Sequence, residues 1–334
     1  MSEPIENMQA PILGLIVPCF NEQQVLPSTS ETLGREMRRL ISCELISPKS
    51  CIYFVDDGSE DQTWQQIQDL SDNDTLFSGI KLARNYGHQY AVYAGLMETQ
   101  ADAYISLDAD LQDDIGAIEH MLASFSRGNE IVYGVRENRD SDTLFKRFTA
   151  KVHYWLLAKM GIRTVKDHAD FRLMSRKAVK FLGEYKEVNL YLRGIVPLLG
   201  LPSEKVYYTR SARLLGESKY PFSRMLNLSL QGLTSFSILP LRVISMLGFI
   251  VFLIALGLGG WALAAAIGEQ NTAPGWASTV IPIYLLGGLQ LLAIGVAGEY
   301  VGKTFMESKG RPMYQVETKL GKTPGKTGSP TEQA

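Results

Sequence analysis

The 334-residue sequence predicts an α/β domain with a mainly parallel sheet and flanking helices, followed by an interfacial helix and a two-helix transmembrane hairpin. Three observations predict it. Short apolar runs alternate with helical stretches through the first two thirds of the chain. Acidic clusters recur at the ends of those runs. Two long uncharged stretches follow Arg242. The expected boundaries are 1–221 for the α/β domain, 222–241 for an interfacial amphipathic segment, 242–300 for the two spans, and 301–334 for a tail with a disordered end.

Ile12 to Val17 is an apolar run ended by Pro18, and Cys51 to Val55 is another, ended by Asp56-Asp57-Gly58. Ile80 to Leu82, Ala103 to Leu107 and Glu130 to Val135 repeat the pattern. Val25 to Leu40 and Trp64 to Leu70, lying between runs, have helical spacing. Such alternation implies βαβ units and a sheet covered on both faces. Ligands of such sheets sit beyond the carboxyl ends of the strands, so the polar residues there are the candidates.

Four strand ends carry chemistry: Pro18-Cys19-Phe20-Asn21-Glu22, Asp56-Asp57-Gly58-Ser59, Ala83-Arg84-Asn85-Tyr86-Gly87-His88, and Asp108-Ala109-Asp110-Leu111-Gln112-Asp113. Gly58 and Ser59 read as a strand-to-helix turn and cap. Two adjacent carboxylates repel, so capping accounts for one of Asp56 and Asp57, and an acceptor for a base N–H or ribose hydroxyl accounts for the other. Asp108 to Asp110 is expected to be extended, where residues i and i+2 point the same way, so both carboxylates face one site. Paired hard oxygens suit Mg²⁺ or Mn²⁺ on a diphosphate. Alone, D-x-D is weak; after three other such strand ends it is much stronger. Further on, Asp167, Asp170 and Arg172 form a polar island, and Arg210, Arg213, Glu217, Ser218, Lys219 and Tyr220 precede the interfacial segment. That basic patch reads either as attraction to a lipid surface or as a phosphate clamp.

Val243 to Gly268 and Asn271 to Gly298 are uncharged over 26 and 28 positions. A bilayer core needs about 20 apolar residues per helix. Lys219, Arg224 and Arg242 precede the first stretch, Lys303, Lys309 and Arg311 follow the second, and the connection holds Glu269 without Lys or Arg. The positive-inside bias therefore expects both termini in the cytoplasm of a multi-pass inner-membrane protein. Phe222 to Pro240 reads as an interfacial helix or as a surface helix on the α/β domain. The tail after Val316, rich in Gly, Lys, Thr and Pro, is expected to be disordered. Lys and Arg total 33 against 35 acidic residues, which gives no footprint for nucleic acid. Cys19, Cys43 and Cys51 form no metal-ligand or disulfide framework, and no signal peptide is visible, so the first domain is expected to stay in the cytoplasm.

With these residues in hand, the chain resembles family 2 glycosyltransferases of the GT-A fold. It looks closest to polyprenyl-phosphate glycosyltransferases of the bactoprenol glucosyltransferase type, with dolichol-phosphate mannose synthases more distant. The resemblance runs from about Ile12 to Pro312 and rests on IVPCFNE, FVDDGSEDQT, ARNYGHQYAVYAGL, LDADLQDD, ADFRLMSR, RLLGESKY and GEYVGKTFMESKGRP. It implies a metal-dependent, inverting transfer of one sugar, glucose from UDP-glucose, to undecaprenyl phosphate, with GDP-mannose or a UDP-amino sugar as alternative donors. Carried over by residue, it implies that Pro18, Asn21, Glu22, Asp56, Asp57 and Asn85 line the donor pocket. Asp108 would contact the donor, with Gln112 nearby, and Asp110 would hold Mg²⁺ or Mn²⁺. Asp170 matches the proposed catalytic base, Arg172 sits with it, and Arg210, Arg213 and Lys219 match the acceptor-phosphate end. His88 stands where many relatives carry lysine, and its role is left open. No Q-x-x-R-W motif of processive synthases is present, which implies a single transfer. A nucleotidyltransferase would want a Gly- and Lys-rich loop after the first strand, which Pro18 to Asn21 lacks, and a dead scaffold would not need these acids intact. The oligomeric state stays open, a homo-oligomer included.

Overall fold

The computed structural model describes residues 10–136, 168–187, 190–209 and 276–321, with a few positions between 241 and 257. They fall into two units: the described residues before 210 together with 312–321, and those from 241 to 311. Residues 210–240, which include the expected acceptor residues Arg210, Arg213 and Lys219 and nearly all of the expected interfacial segment, lie outside the described residues.

The first unit is built on eight strands: β1 (Leu13–Cys19), β2 (Cys51–Asp56), β3 (Phe77–Leu82), β4 (Ala103–Ser106), β5 (Ile131–Arg136), β6 (His168–Ser175), β7 (Ser203–Tyr208) and β8 (Val316–Lys319). Their order is β7-β5-β6-β4-β1-β2-β3-β8. The pairs β1–β2, β1–β4 and β2–β3 are parallel, as the alternating pattern predicts, and so is β5–β7, whose second strand the sequence reading did not name. The pairs β4–β6, β5–β6 and β3–β8 are antiparallel. Every residue of β1 is buried, the expectation for a central strand covered on both faces.

Helix α1 (Leu26–Ser42) has proline in its first turn, where a missing N–H costs nothing, and buries Leu26, Thr29, Leu33, Met37 and Leu40 at three- and four-residue steps. Helices α2 (Thr63–Asn73), α3 (His88–Glu98) and α4 (Ala117–Ser126) follow the next strands. Gly95 lets α3 lie flat on the sheet, because a Cβ there would meet Ile16 Cγ2 at 2.3 Å and Val55 Cγ2 at 2.9 Å. This seating brings the first residues of α3, His88 and Gln89, to the carboxyl edge of the strands. Ser175 caps α5 (Arg176–Leu182) by accepting from Ala178 N at 3.0 Å. The four-residue α6 (Leu192–Ile195) runs into a 3₁₀ turn at Val196–Leu199.

The end of the chain departs from the sequence reading. Val316–Lys319, expected to open a disordered tail, pairs with β3 as the eighth strand. Tertiary partners hold it there: Ser78 Oγ donates to Leu320 O at 2.6 Å, Lys81 pairs with Glu317 at 3.1 Å, and Glu98 receives Tyr314 Oη at 2.7 Å as well as the Lys319 ammonium. A strand so short is specified by its neighbours and not by its own composition.

In the second unit, α7 (Trp276–Ser308) spans 33 residues and leaves Ile283, Leu291, Leu292 and Ile294 exposed. Among the described residues no helix is long and apolar enough to cross a membrane. The hairpin expected from the sequence is not seen, since residues 258–275 and several α7 side chains lie outside the described residues.

Candidate active site

The loops after β1 and β2 are stitched together by side chains. Asn21 N donates to Ser59 Oγ at 2.9 Å, Glu60 N donates to Asn21 Oδ1 at 2.9 Å, and Glu22 N donates to Thr63 Oγ1 at 2.9 Å. Asn21 takes a left-handed φ of 55°, which asparagine tolerates better than most residues. Its amide oxygen thus holds the neighbouring loop, while Pro18 is buried within β1 beside Val55.

Asp56 and Asp57 do different things. Both oxygens of Asp57 accept backbone N–H groups, Tyr86 N and Gly87 N, each at 2.8 Å. Gly58 makes that reach possible: at φ 71° it lies so close to the loop after β3 that a Cβ would stand 2.6 Å from Arg84 C and Asn85 N. Asn85 is exposed in this loop, and the Arg84 guanidinium lies 4.1 Å from the centroid of the Tyr86 ring. Asp56 Oδ1 accepts from Ser59 N at 3.2 Å, but Oδ2 has no partner among the described residues although Asp56 is fully buried. Burial pushes the Asp56 carboxyl above its usual range, and the Ser59 bonds only partly offset this. Of the two acids, Asp56 is the one with acceptor capacity to spare.

The D-x-D segment is a turn and not an extended strand, which corrects the parallel-pair expectation. β4 ends at Ser106, Leu111 N reaches back to Asp108 O at 3.3 Å, and Leu111 adopts φ 47°. From α1, Thr29 Oγ1 pins the turn by donating to Ala109 O at 2.6 Å. The alternation rule holds only for extended backbone, so the two carboxylates take different neighbours. Asp108 faces His88 Nε2 at 3.5 Å, and Asp110 is held by the side-chain amide of the buried Gln112. Glu22 shares this acidic region; burial, then Asp110, Asp61 and Asp108, raise its pKa.

Asp170 reaches the same edge because β6 runs antiparallel to β4, with Arg172 opposite Ser106. Its carboxylate is clamped. Arg172 Nη2 donates to Oδ1 at 2.7 Å, Arg193 Nε and Nη2 donate to Oδ1 and Oδ2 at 3.1 and 2.8 Å, and His88 Nε2 lies 3.7 Å from Oδ2. Burial would raise its pKa, but His88, Arg193 and Arg172 together hold it well below the carboxylate range. Burial pulls the His88 imidazole down, yet Asp170 and Asp108 outweigh that, and its pKa lies above the usual value. Arg172 is 2% exposed, also donates Nη1 to Leu192 O at 3.3 Å, and leaves Nε without a partner among the described residues. Gln89 Oε1 accepts from Leu192 N at 2.9 Å, which fixes α6 and hence Arg193. Sequence reasoning missed Arg193, which belongs to no periodic pattern and stands 23 positions from the acid it meets; the only usable signal was a buried acid needing counter-charge.

Among the described residues no group of three His, Cys, Asp or Glu side chains is arranged to hold an ion. Mg²⁺ needs only one or two protein carboxylates when substrate phosphates complete its shell, and the crowded acids around Asp110 fit that requirement.

Residues 15–183 match the model of glycosyl transferase family 2. The chain belongs to this family and is a glycosyltransferase. It is 46% identical over 313 residues to the uncharacterized glycosyltransferase YkoT of Bacillus subtilis, covering 93% of this chain and 92% of the relative. It is 37% identical over 311 residues to the bactoprenol glucosyl transferase of Shigella phage SfV, covering 93% and 99%. A solved glucosyl-3-phosphoglycerate synthase from Mycobacterium tuberculosis, in complex with Mn²⁺, UDP and phosphoglyceric acid, matches with a TM-score of 0.44 at 16% identity, covering 66% of this chain and 75% of that one.

Proposed function

We propose that the chain transfers one sugar, glucose from UDP-glucose, to the phosphate of a polyprenyl lipid at the cytoplasmic face of the inner membrane. The observation that carries this reading is the chain-long likeness to a bactoprenol glucosyl transferase, which takes in 93% of this chain and 99% of the relative. A match of that extent covers the uncharged stretches 243–268 and 271–298 as well as the sheet. The exposed apolar side chains of α7 support a membrane setting, and the basic flanks of the uncharged stretches support both termini inside.

In this reading the orphan Asp56 oxygen accepts from the base or ribose of the donor. Asp110, with Asp108 beside it, would hold Mg²⁺ or Mn²⁺ against the diphosphate. When bound, that ion supplies charge stabilisation for the departing nucleoside diphosphate. The acceptor attacks the anomeric carbon once, from the opposite side, and inverts it. A phosphate monoester has its second pKa near 6, so it arrives already able to attack. Asp170, held ionised with both oxygens engaged, then orients His88 and Arg193 and has no proton to remove. Arg210, Arg213 and Lys219 would meet the lipid phosphate at the bilayer surface.

The test is incubation of the purified protein with undecaprenyl phosphate, Mg²⁺ and a panel of nucleotide sugars that includes UDP-glucose, GDP-mannose and UDP-amino sugars. Mass spectrometry of the lipid fraction should show one added hexose with UDP-glucose. Donor consumption without any mass increment on the lipid would refute the acceptor.

A further inference from the structure

We infer that Arg193 carries a phosphate-binding subsite, formed by the face of its guanidinium turned away from Asp170. A guanidinium has five N–H donors. Asp170 takes two of them, through Nε and Nη2, at 3.1 and 2.8 Å. The three others, both on Nη1 and one on Nη2, have no partner among the described residues. The Arg193 side chain is 42% exposed, whereas Arg172, on the same carboxylate, is 2% exposed. One acid thus holds two guanidinium groups, one sealed in the core and one opening outward, the outward one also in the field of Asp108. A structural ion pair would need only Arg172.

The setting favours an anion over solvent. Arg193 is fixed on both sides of its helix start, by Gln89 on Leu192 N and by Arg172 on Leu192 O. His88 Nε2 lies between Asp170 and Asp108, so its N–H is already turned to carboxylates and leaves the anion to Arg193. A planar, preoriented fork in a partly dry site suits two phosphate oxygens at once, which a lysine point charge cannot match. The ligand is a phosphate group, either the monoester of the lipid acceptor or the diphosphate of the donor. This inference rests on the reading of the chain as a phosphate-acceptor glycosyltransferase, and the experiment separates the two.

Full-length wild type, Arg193→Gln, Arg193→Lys and Asp170→Asn are purified in detergent, and their folding is checked by thermal unfolding. UDP and inorganic phosphate binding are measured by calorimetry, and the apparent KM for undecaprenyl phosphate is measured in mixed micelles. Arg193→Gln should weaken one phosphate ligand by about tenfold to a hundredfold, the scale of a hydrogen bond to a charged group, with Arg193→Lys in between. A rise confined to the lipid KM makes the acceptor phosphate the ligand. A loss confined to UDP affinity makes it the donor diphosphate. If neither moves more than about twofold while kcat falls as it does in Asp170→Asn, Arg193 is only a clamp and the subsite is refuted. If wild type transfers nothing to the lipid, the functional reading fails. In that case, equal calorimetric affinities of wild type and Arg193→Gln for UDP and phosphate overturn the subsite separately.

Discussion

Asp56, Asp57 and Asp170 are chemically alike, and their environments set them apart. Asp57 is consumed by two backbone N–H groups, and Asp56 keeps a buried oxygen without a donor. Asp56→Asn puts an amide donor where that acceptor stood. UDP affinity should drop by about tenfold or more, the cost of leaving a buried polar group mismatched. Calorimetry that finds the affinity intact would make Asp56 a turn residue and nothing more. At Asp170 the effect falls on stability. A carboxyl whose folded pKa is depressed stabilises the fold above its unfolded pKa of about 3.9, and that contribution is lost as pH falls through the folded value. Asp170→Asn removes it at neutral pH as well and strands the buried Arg172, a loss of about 3 kcal/mol. Thermal unfolding at pH 7 should therefore show a lower Tm, and in wild type the Asp170 contribution should fade only below about pH 4. An unchanged Tm would mean that the clamp carries no net energy.

At the scale of elements, strand direction decides what reaches the site. β6 is antiparallel to both neighbours, so its beginning, not its end, lies beside the ends of β4 and β5. The polar island around Asp170 was visible in the sequence; its destination was not, because reversal depends on the path of the intervening chain. The same holds for β8, four residues with two charges, whose Glu317 meets Lys81 across 236 positions. Deleting the chain from Tyr314 onward should cost about 2–3 kcal/mol in lost burial of Leu320 and lost ladder bonds. It should also bare β3 as an open edge and promote aggregation. Thermal scans and light scattering of truncated and full-length protein would reveal both effects, and identical curves would make β8 dispensable.

For the whole molecule the open prediction is topology. The uncharged stretches and their basic flanks expect a hairpin with both ends inside. With the exposed Cys43 replaced, single cysteines at Asn271 and Ser308 should react from opposite sides of the membrane, the first alone from outside. Labelling of both from one side would eliminate the hairpin.

Much of this protein was written locally. Apolar runs ending in Pro18, Asp56 and Asp108 announced parallel strands with acidic mouths, since a buried strand must be apolar and must end where the polar residues begin. Uninterrupted apolar length marked the candidate spans, since the bilayer sets that length. What local pattern could not decide was which acid faces what. The turn at Asp108 to Leu111 separated two carboxylates that an extended segment would have aligned. An antiparallel strand delivered Asp170, and a four-residue helix brought Arg193 onto it. Composition and period belong to a stretch of chain, whereas the partner of a charge is chosen by packing between stretches far apart, and only the tertiary structure settles that.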